Sequence, residues 1–151
     1  MASDSQPQNI YAGEFRHAID EKNRLTIPSR WRRGSAEEFI IVPEPQGQYL
    51  LVMSPDEFTR MIAQAESNPN VAPRDRRVFL RQFHARAQHG AADKQGRLVL
   101  PEDLCRELGL QDEVALLGGG RRFEIWNLEK WKLAHAAETA TYQHVADLIG
   151  L

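Results

Sequence analysis

A single cysteine, Cys105, stands in a chain of 151 residues, so no internal disulfide can form and a disulfide-stapled scaffold is excluded. A lone thiol fits a reducing cytoplasm. Long hydrophobic runs are missing too. No uncharged apolar stretch reaches the roughly 18 residues that a membrane-spanning helix needs, so no membrane partner is expected. Residues Met1 to Asn9 are polar and carry no apolar core, which reads as a disordered tail over 1–9 rather than a signal peptide. The histidines at 17, 84, 89, 135 and 144 show no zinc-ligand spacing with the one cysteine, so no metal and no cofactor is expected. Gly118-Gly119-Gly120 lacks the Lys-Ser/Thr of a phosphate loop and reads as a hairpin turn. No Ser-His-Asp or Cys-His arrangement has a motif around it. An enzyme acting on a small molecule is therefore not expected.

Net charge is also small, −2, but the charges are segregated. Arg16 to Arg33 holds six Lys/Arg against two Asp/Glu, and Arg74 to Arg97 holds seven against two. The rest of the chain is acidic: 1–15 carries −2, 34–73 carries −5 and 98–151 carries −4. Two basic blocks in an acidic chain suit a focused positive surface facing phosphates. They also suit solvated arginines on helix faces, and charge alone leaves both readings open.

What the chain has is an internal repeat at an offset of 73 residues. Asp20-Glu-Lys-Asn-Arg24-Leu25-Thr-Ile27-Pro28 falls on Asp93-Lys-Gln-Gly-Arg97-Leu98-Val-Leu100-Pro101. Without a gap, Tyr49-Leu-Leu-Val-Met53 falls on Arg122-Phe-Glu-Ile-Trp126, and Ser54–Phe58 on Asn127–Trp131. Each copy predicts a strand, a polar loop, and a second strand with alternating faces (Leu25 and Ile27 against Arg24 and Thr26). Asn23 and Gly96 suit a left-handed loop position. Pro28 and Pro101 open short helices. A hairpin follows, Phe39–Val42 with Tyr49–Met53 in copy one and Glu113–Leu117 with Arg122–Trp126 in copy two. Each copy ends in a helix. Ser54 is the cap of the first, with Glu57 completing a capping box, and Asn127 caps the second, which runs on toward Leu148. Pro73 to Ala85 reads as a basic helix with Phe79, Leu80 and Phe83 on its apolar side. The tail residues Trp131, Ala134, Glu138, Tyr142, Val145 and Ile149 share helical spacing and are expected to pack on the body or on a neighbour. Trp31, Trp126 and Trp131 are expected in the core or at an interface. The organisation expected is repeat one over 14–61, linker and basic helix over 62–86, repeat two over 87–134 and a helical tail over 135–151. Neither copy alone buries much core. The expectation is therefore one mixed α and β unit, a pseudo-twofold barrel with helices outside.

Asp-x-x-x-Arg, an apolar pair and Pro, occurring twice about seventy residues apart, resembles the MraZ family. Gly13–Pro28, Arg76–Phe83 and Asp93–Pro101 carry the resemblance, which covers roughly residues 10 to 135. It implies a swapped-hairpin AbrB-like barrel with two SpoVT-AbrB-type domains in one chain, and a ring-shaped homo-oligomer associated with the nucleoid. It also implies a repressor binding double-stranded DNA at short direct repeats upstream of the division and cell-wall gene cluster. DNA contacts would come from the loops: Lys22 and Arg24 in copy one, Lys94 and Arg97 in copy two. The family usually has Lys-Gly-Arg there. Copy one has Lys22-Asn23-Arg24 and loses the glycine; copy two has Gln95-Gly96-Arg97 and loses the central lysine, so unequal DNA affinity is implied.

The chemistry agrees with that implication. An arginine fork at the end of a tight loop matches guanine O6 and N7, and lysines suit phosphates as point charges. A bland reading stands beside it: Asp20 pairs with Arg24, and Asp93 with Arg97, to hold the turn. Asp20, Asn23, Asp93 and Gly96 are accordingly assigned to shaping the loops. A general AbrB-type or antitoxin-like repressor is an alternative, though those usually carry one copy per chain. A ring-forming protein that binds an acidic partner is another.

Overall fold

Leu25 and Leu98, separated by the repeat offset, are register partners, and the pairing around them is reciprocal: Arg24 faces Val99 and Thr26 faces Arg97. The offset is thus a physical dyad. These pairs belong to a two-stranded antiparallel ribbon of β2 (Arg24–Thr26) and β6 (Arg97–Val99) in the computed structural model, which describes residues 10–34 and 36–151. The tail expected over 1–9 lies outside the described residues.

The remaining strands are β1 (Glu14–Ala18), β3 (Glu38–Pro43), β4 (Tyr49–Met53), β5 (Gln88–Ala91), β7 (Glu113–Gly118) and β8 (Arg122–Asn127). They form one antiparallel sheet in the order β1-β7-β8-β4-β3-β5. Its centre is again dyadic: Leu51 faces Glu124, its own repeat equivalent. The copies exchange strands, β1 of copy one pairing with β7 of copy two and β5 of copy two pairing with β3 of copy one. The helices are α1 (Pro55–Ser67), α2 (Pro73–Arg86), α3 (Glu102–Leu108) and α4 (Leu128–Ile149).

Alternation along the strands builds two apolar layers. Phe39, Ile41, Leu50, Val52, Val114, Leu116, Phe123 and Ile125 face the ribbon and close on Leu25, Ile27, Leu98 and Leu100. Ile40, Val42 and Met53 face the other way, against Phe58, Met61 and Ile62 of α1 and Phe83 of α2. Fully burying each large apolar side chain contributes about 1.5–3 kcal/mol, so the inner layer dominates. At one end of it Trp31 meets Tyr11, Phe15 and Phe123 at centroid distances of 5.6, 5.2 and 4.9 Å, and its indole donates to the Ala12 carbonyl at 2.9 Å.

Three expectations need correction. The sheet does not close into a barrel: β1 and β5 are its edges, and the three-residue ribbon strands are not paired with them as a ladder but are joined by isolated bridges just beyond the ends of β1 and β5, Ile19 to Leu25 and Ala92 to Leu98. The helix after Pro28 is one 3-10 turn, Ser29–Trp31. Copy two can continue because Leu104, Cys105 and Leu108 are buried along one face, whereas Arg32 and Arg33 follow Trp31 and are exposed. The capping box is half formed. Ser54 Oγ accepts from the Glu57 amide at 3.1 Å, but the Glu57 carboxylate is held by Arg60 at 2.8 and 2.9 Å and by Arg122 of β8 at 3.4 Å. That carboxylate ties α1 to the sheet.

The tail also resolves one way. Trp131 and Ala134 are partly covered by the body. Tyr142, Val145, Leu148 and Ile149 of α4 are 67, 46, 71 and 74 % exposed, with no described residue over them.

Truncating Trp31 removes the hub of the aromatic cluster and one buried hydrogen bond. Trp31→Ala should lower unfolding free energy by about 3–5 kcal/mol in urea titrations. A loss below about 1 kcal/mol, typical of surface changes, would show that the cluster collapses around the hole.

Candidate nucleic-acid interface

Each loop is built around one carboxylate. Asp20 Oδ1 accepts from the amides of Lys22 (2.9 Å) and Arg24 (2.8 Å), while Oδ2 accepts from Arg24 Nε at 2.6 Å. Asp93 repeats the pattern, with Oδ1 accepting from Gln95 and Arg97 amides, both at 2.9 Å, and Oδ2 from Arg97 Nε at 2.8 Å. The chain turns because Asn23 (φ 60°) and Gly96 (φ 79°) occupy the left-handed region, which Asn tolerates and Gly favours. The loops are then locked to one another: the Ile27 amide donates to the Gly96 carbonyl and the Leu100 amide to the Asn23 carbonyl, each at 2.8 Å. His17 Nδ1 lies 2.6 Å from the Thr26 carbonyl, fastening the ribbon to β1.

With Leu25 and Leu98 buried beneath, the ribbon turns Arg24, Thr26, Arg97 and Val99 outward. Arg24 and Arg97 are brought together on that face, about 30 and 33 % exposed, each tethered through Nε. The Arg97 terminus also reaches Gln95 Oε1 at 3.4 Å. Lys22 and Lys94 are exposed at the loop tips but are not equivalent: Lys94 occupies the position of Glu21, and Gln95 that of Lys22.

Sequence reasoning passed over Arg32. Its Nε donates to the Ile27 carbonyl at 2.9 Å, and its guanidinium lies so close over Gly96 that any Cβ there would collide with it. A cation thus stands beside the loop that lacks the central lysine. The signal was a break in the repeat, since the equivalent of Arg32 is the buried Cys105.

Both loop carboxylates titrate below the ordinary aspartate range. For Asp20 the hydrogen bond from the Arg24 amide contributes most, and the Arg24 side chain and Lys22 amide add to it; for Asp93 the Arg97 amide leads, and the Arg97 side chain and Gln95 amide follow. Some desolvation opposes both shifts.

Fold and site define a class: a mixed α and β protein whose dyad-related Asp-x-x-x-Arg loops meet at a β-ribbon. The chain belongs to the MraZ family. The family model described as "MraZ protein, putative antitoxin-like" matches residues 10–81 and 83–148. A protein of Acetivibrio thermocellus named transcriptional regulator MraZ is 32% identical over 142 residues, covering 94% of this chain and 98% of its own. Relatives of the same name from Desulforamulus reducens (34%, covering 93% and 97%) and Micrococcus luteus (33%, covering 88% and 92%) agree along the chain. Among the described residues no helix is long and apolar enough to cross a membrane.

A lowered folded pKa means that the loop's stabilisation is complete above the unfolded aspartate pKa, about 3.9, and is lost as pH falls through the folded value. Amide NMR shifts of Lys22, Arg24, Gln95 and Arg97 should therefore stay flat down to about pH 4 and move only below it. Midpoints at or above the unfolded value would contradict the hydrogen-bonded loops.

Proposed function

We propose that the chain is a sequence-specific DNA-binding transcriptional regulator that reads duplex DNA with the outer face of the β2–β6 ribbon. One observation carries the reading: Arg24 and Arg97 stand together on that face, each with its Nε tied to an aspartate and its side chain partly exposed. A two-stranded ribbon fits the major groove, and a tethered fork loses little freedom on meeting a guanine edge. Lys22, Lys94 and Arg32 then contact phosphates. The names of the relatives support the regulatory role. Repression, the short direct repeats of the division and cell-wall cluster and nucleoid association follow the family resemblance. The exchange of β1 and β5 between copies supports an AbrB-type swapped-hairpin ancestry. The uncovered apolar residues at the end of α4 support self-assembly into a ring.

Arg24→Ala and Arg97→Ala should each weaken operator binding by about 1–3 kcal/mol and relax sequence preference. Lys22→Ala and Arg32→Ala should weaken specific and random duplexes alike and reduce the salt slope by about one. Gel-shift titrations against specific and random duplexes separate these effects. Equal affinity for both duplexes in the parent protein would favour a binder of acidic partners instead.

A ring presents many loops at once, so a duplex with three in-phase boxes should bind about 10²–10⁴-fold tighter than one with a single box. Equal affinities would mean that each protomer reads DNA alone.

A further inference from the structure

On the face of the sheet away from the ribbon, the loops and the core leave a cleft unused. Strand alternation sends Leu50 and Ile125 into the core and turns their neighbours Tyr49 and Trp126 outward, where the two rings stack at 4.7 Å and 18°. Trp131, in the first turns of α4, stands against Trp126 at 5.4 Å and 61°. The polar edges of both indoles are tied back, Trp126 Nε1 to Glu124 at 2.8 Å and Trp131 Nε1 to Glu14 at 3.1 Å. Both indole N–H groups are thus occupied, and Trp126, stacked under Tyr49, is 5 % exposed. These rings border an open cleft of about 490 Å³, also lined by Glu44, Glu124 and Glu138 and by no Lys or Arg. That size suits a small organic group or a long side chain. Two cations lie around it: Arg122 is bonded to Glu57 and Met61, and Lys130 lines an adjoining hollow that shares Gln46, Gln48 and Trp126 with the cleft.

Aromatic faces are negative at their centres and carboxylates add to that field, so the cleft favours a cation and repels phosphates. The half-buried rings of Tyr49 and Trp131 are the aromatic surface at the cleft, with the buried Trp126 behind them. A guanidinium stacks on rings while its edge donates to carboxylates, which an ammonium cannot do equally well. We infer that this cleft is a binding site for a guanidinium group, separate from the DNA-reading face. Its source is either a free guanidinium compound or an arginine of a second copy. Helix α2 exposes Arg74, Arg77, Arg81 and Arg86 and is a chemically matched donor.

The test uses the intact chain and tryptophan fluorescence. Two of the three tryptophans wall the cleft and the third, Trp31, is 2 % exposed and shielded from added ligand. N-acetylarginine amide should give a saturable change with a millimolar midpoint, competed by salt. The neutral isostere N-acetylcitrulline amide should give none. Glu124→Gln, Glu138→Gln and Trp131→Leu should each raise the midpoint by about fivefold or more, with circular dichroism and operator binding unchanged. Sedimentation in the same titration identifies the source. Dissociation of an assembly by the arginine derivative assigns the cleft to a second copy; binding with no change of mass assigns it to a free ligand. No saturable change, an equal response to the citrulline analogue, or midpoints unmoved by all three substitutions would overturn the inference.

Discussion

Two backbone hydrogen bonds set the terms for the rest of the molecule: Ile27 to the Gly96 carbonyl and Leu100 to the Asn23 carbonyl. Each runs from the strand end of one copy to the loop of the other. Each loop closes on its own aspartate, but its outward carbonyl is taken up by the other copy, which couples the two halves. Each bond also requires its carbonyl to point across the ribbon, which the left-handed turns at Asn23 and Gly96 achieve. The aspartates then fill the amides that those turns leave open, and the arginines follow the aspartates. The orientation of the basic face is therefore decided by backbone geometry before any long side chain is placed.

That hierarchy explains what the sequence revealed. Strands, hairpins and the Ser54 and Asn127 caps were legible because each depends on a few neighbouring residues. The equivalence of the loops was legible from the offset, and with it the position of every candidate residue. The exchange of β1 and β5 was not read from the residues, because antiparallel strands of similar composition can pair within or between copies, and distant packing decides. The open sheet escaped for a related reason. Closure depends on how many residues β2 and β6 can pair, and the apolar pattern through Ile27 and Leu100 overstated their length by a residue. Glu57 illustrates the same limit: its spacing from Ser54 satisfied a local rule, but Arg122, 65 residues away, competes for its carboxylate.

The departures from repeat symmetry gather around the loops. Gly96 is buried under Arg32, so a side chain there would displace that guanidinium as well as strain a left-handed φ. Asn23, at the equivalent turn, is half-buried and takes the left-handed φ with its side chain in place. Copy one holds its cation on the loop itself, at Lys22. Copy two has Gln95 there and takes a cation from Arg32, on the far side of the dyad. The same positive charge is thus reached by unequal routes, one local and one across the interface of the halves.

Joining both halves in one chain is what permits this inequality. In a dimer of identical single repeats, any change in one loop appears in the other, and the surface stays a palindrome. Here the dyad relates Leu25 to Leu98 in the backbone but not Lys22 to Gln95 in chemistry. On the proposed reading, a protomer lying on a duplex has a front and a back. A true twofold matches inverted half-sites; a molecule with polarity can be laid down head to tail and distinguish the two directions along a strand.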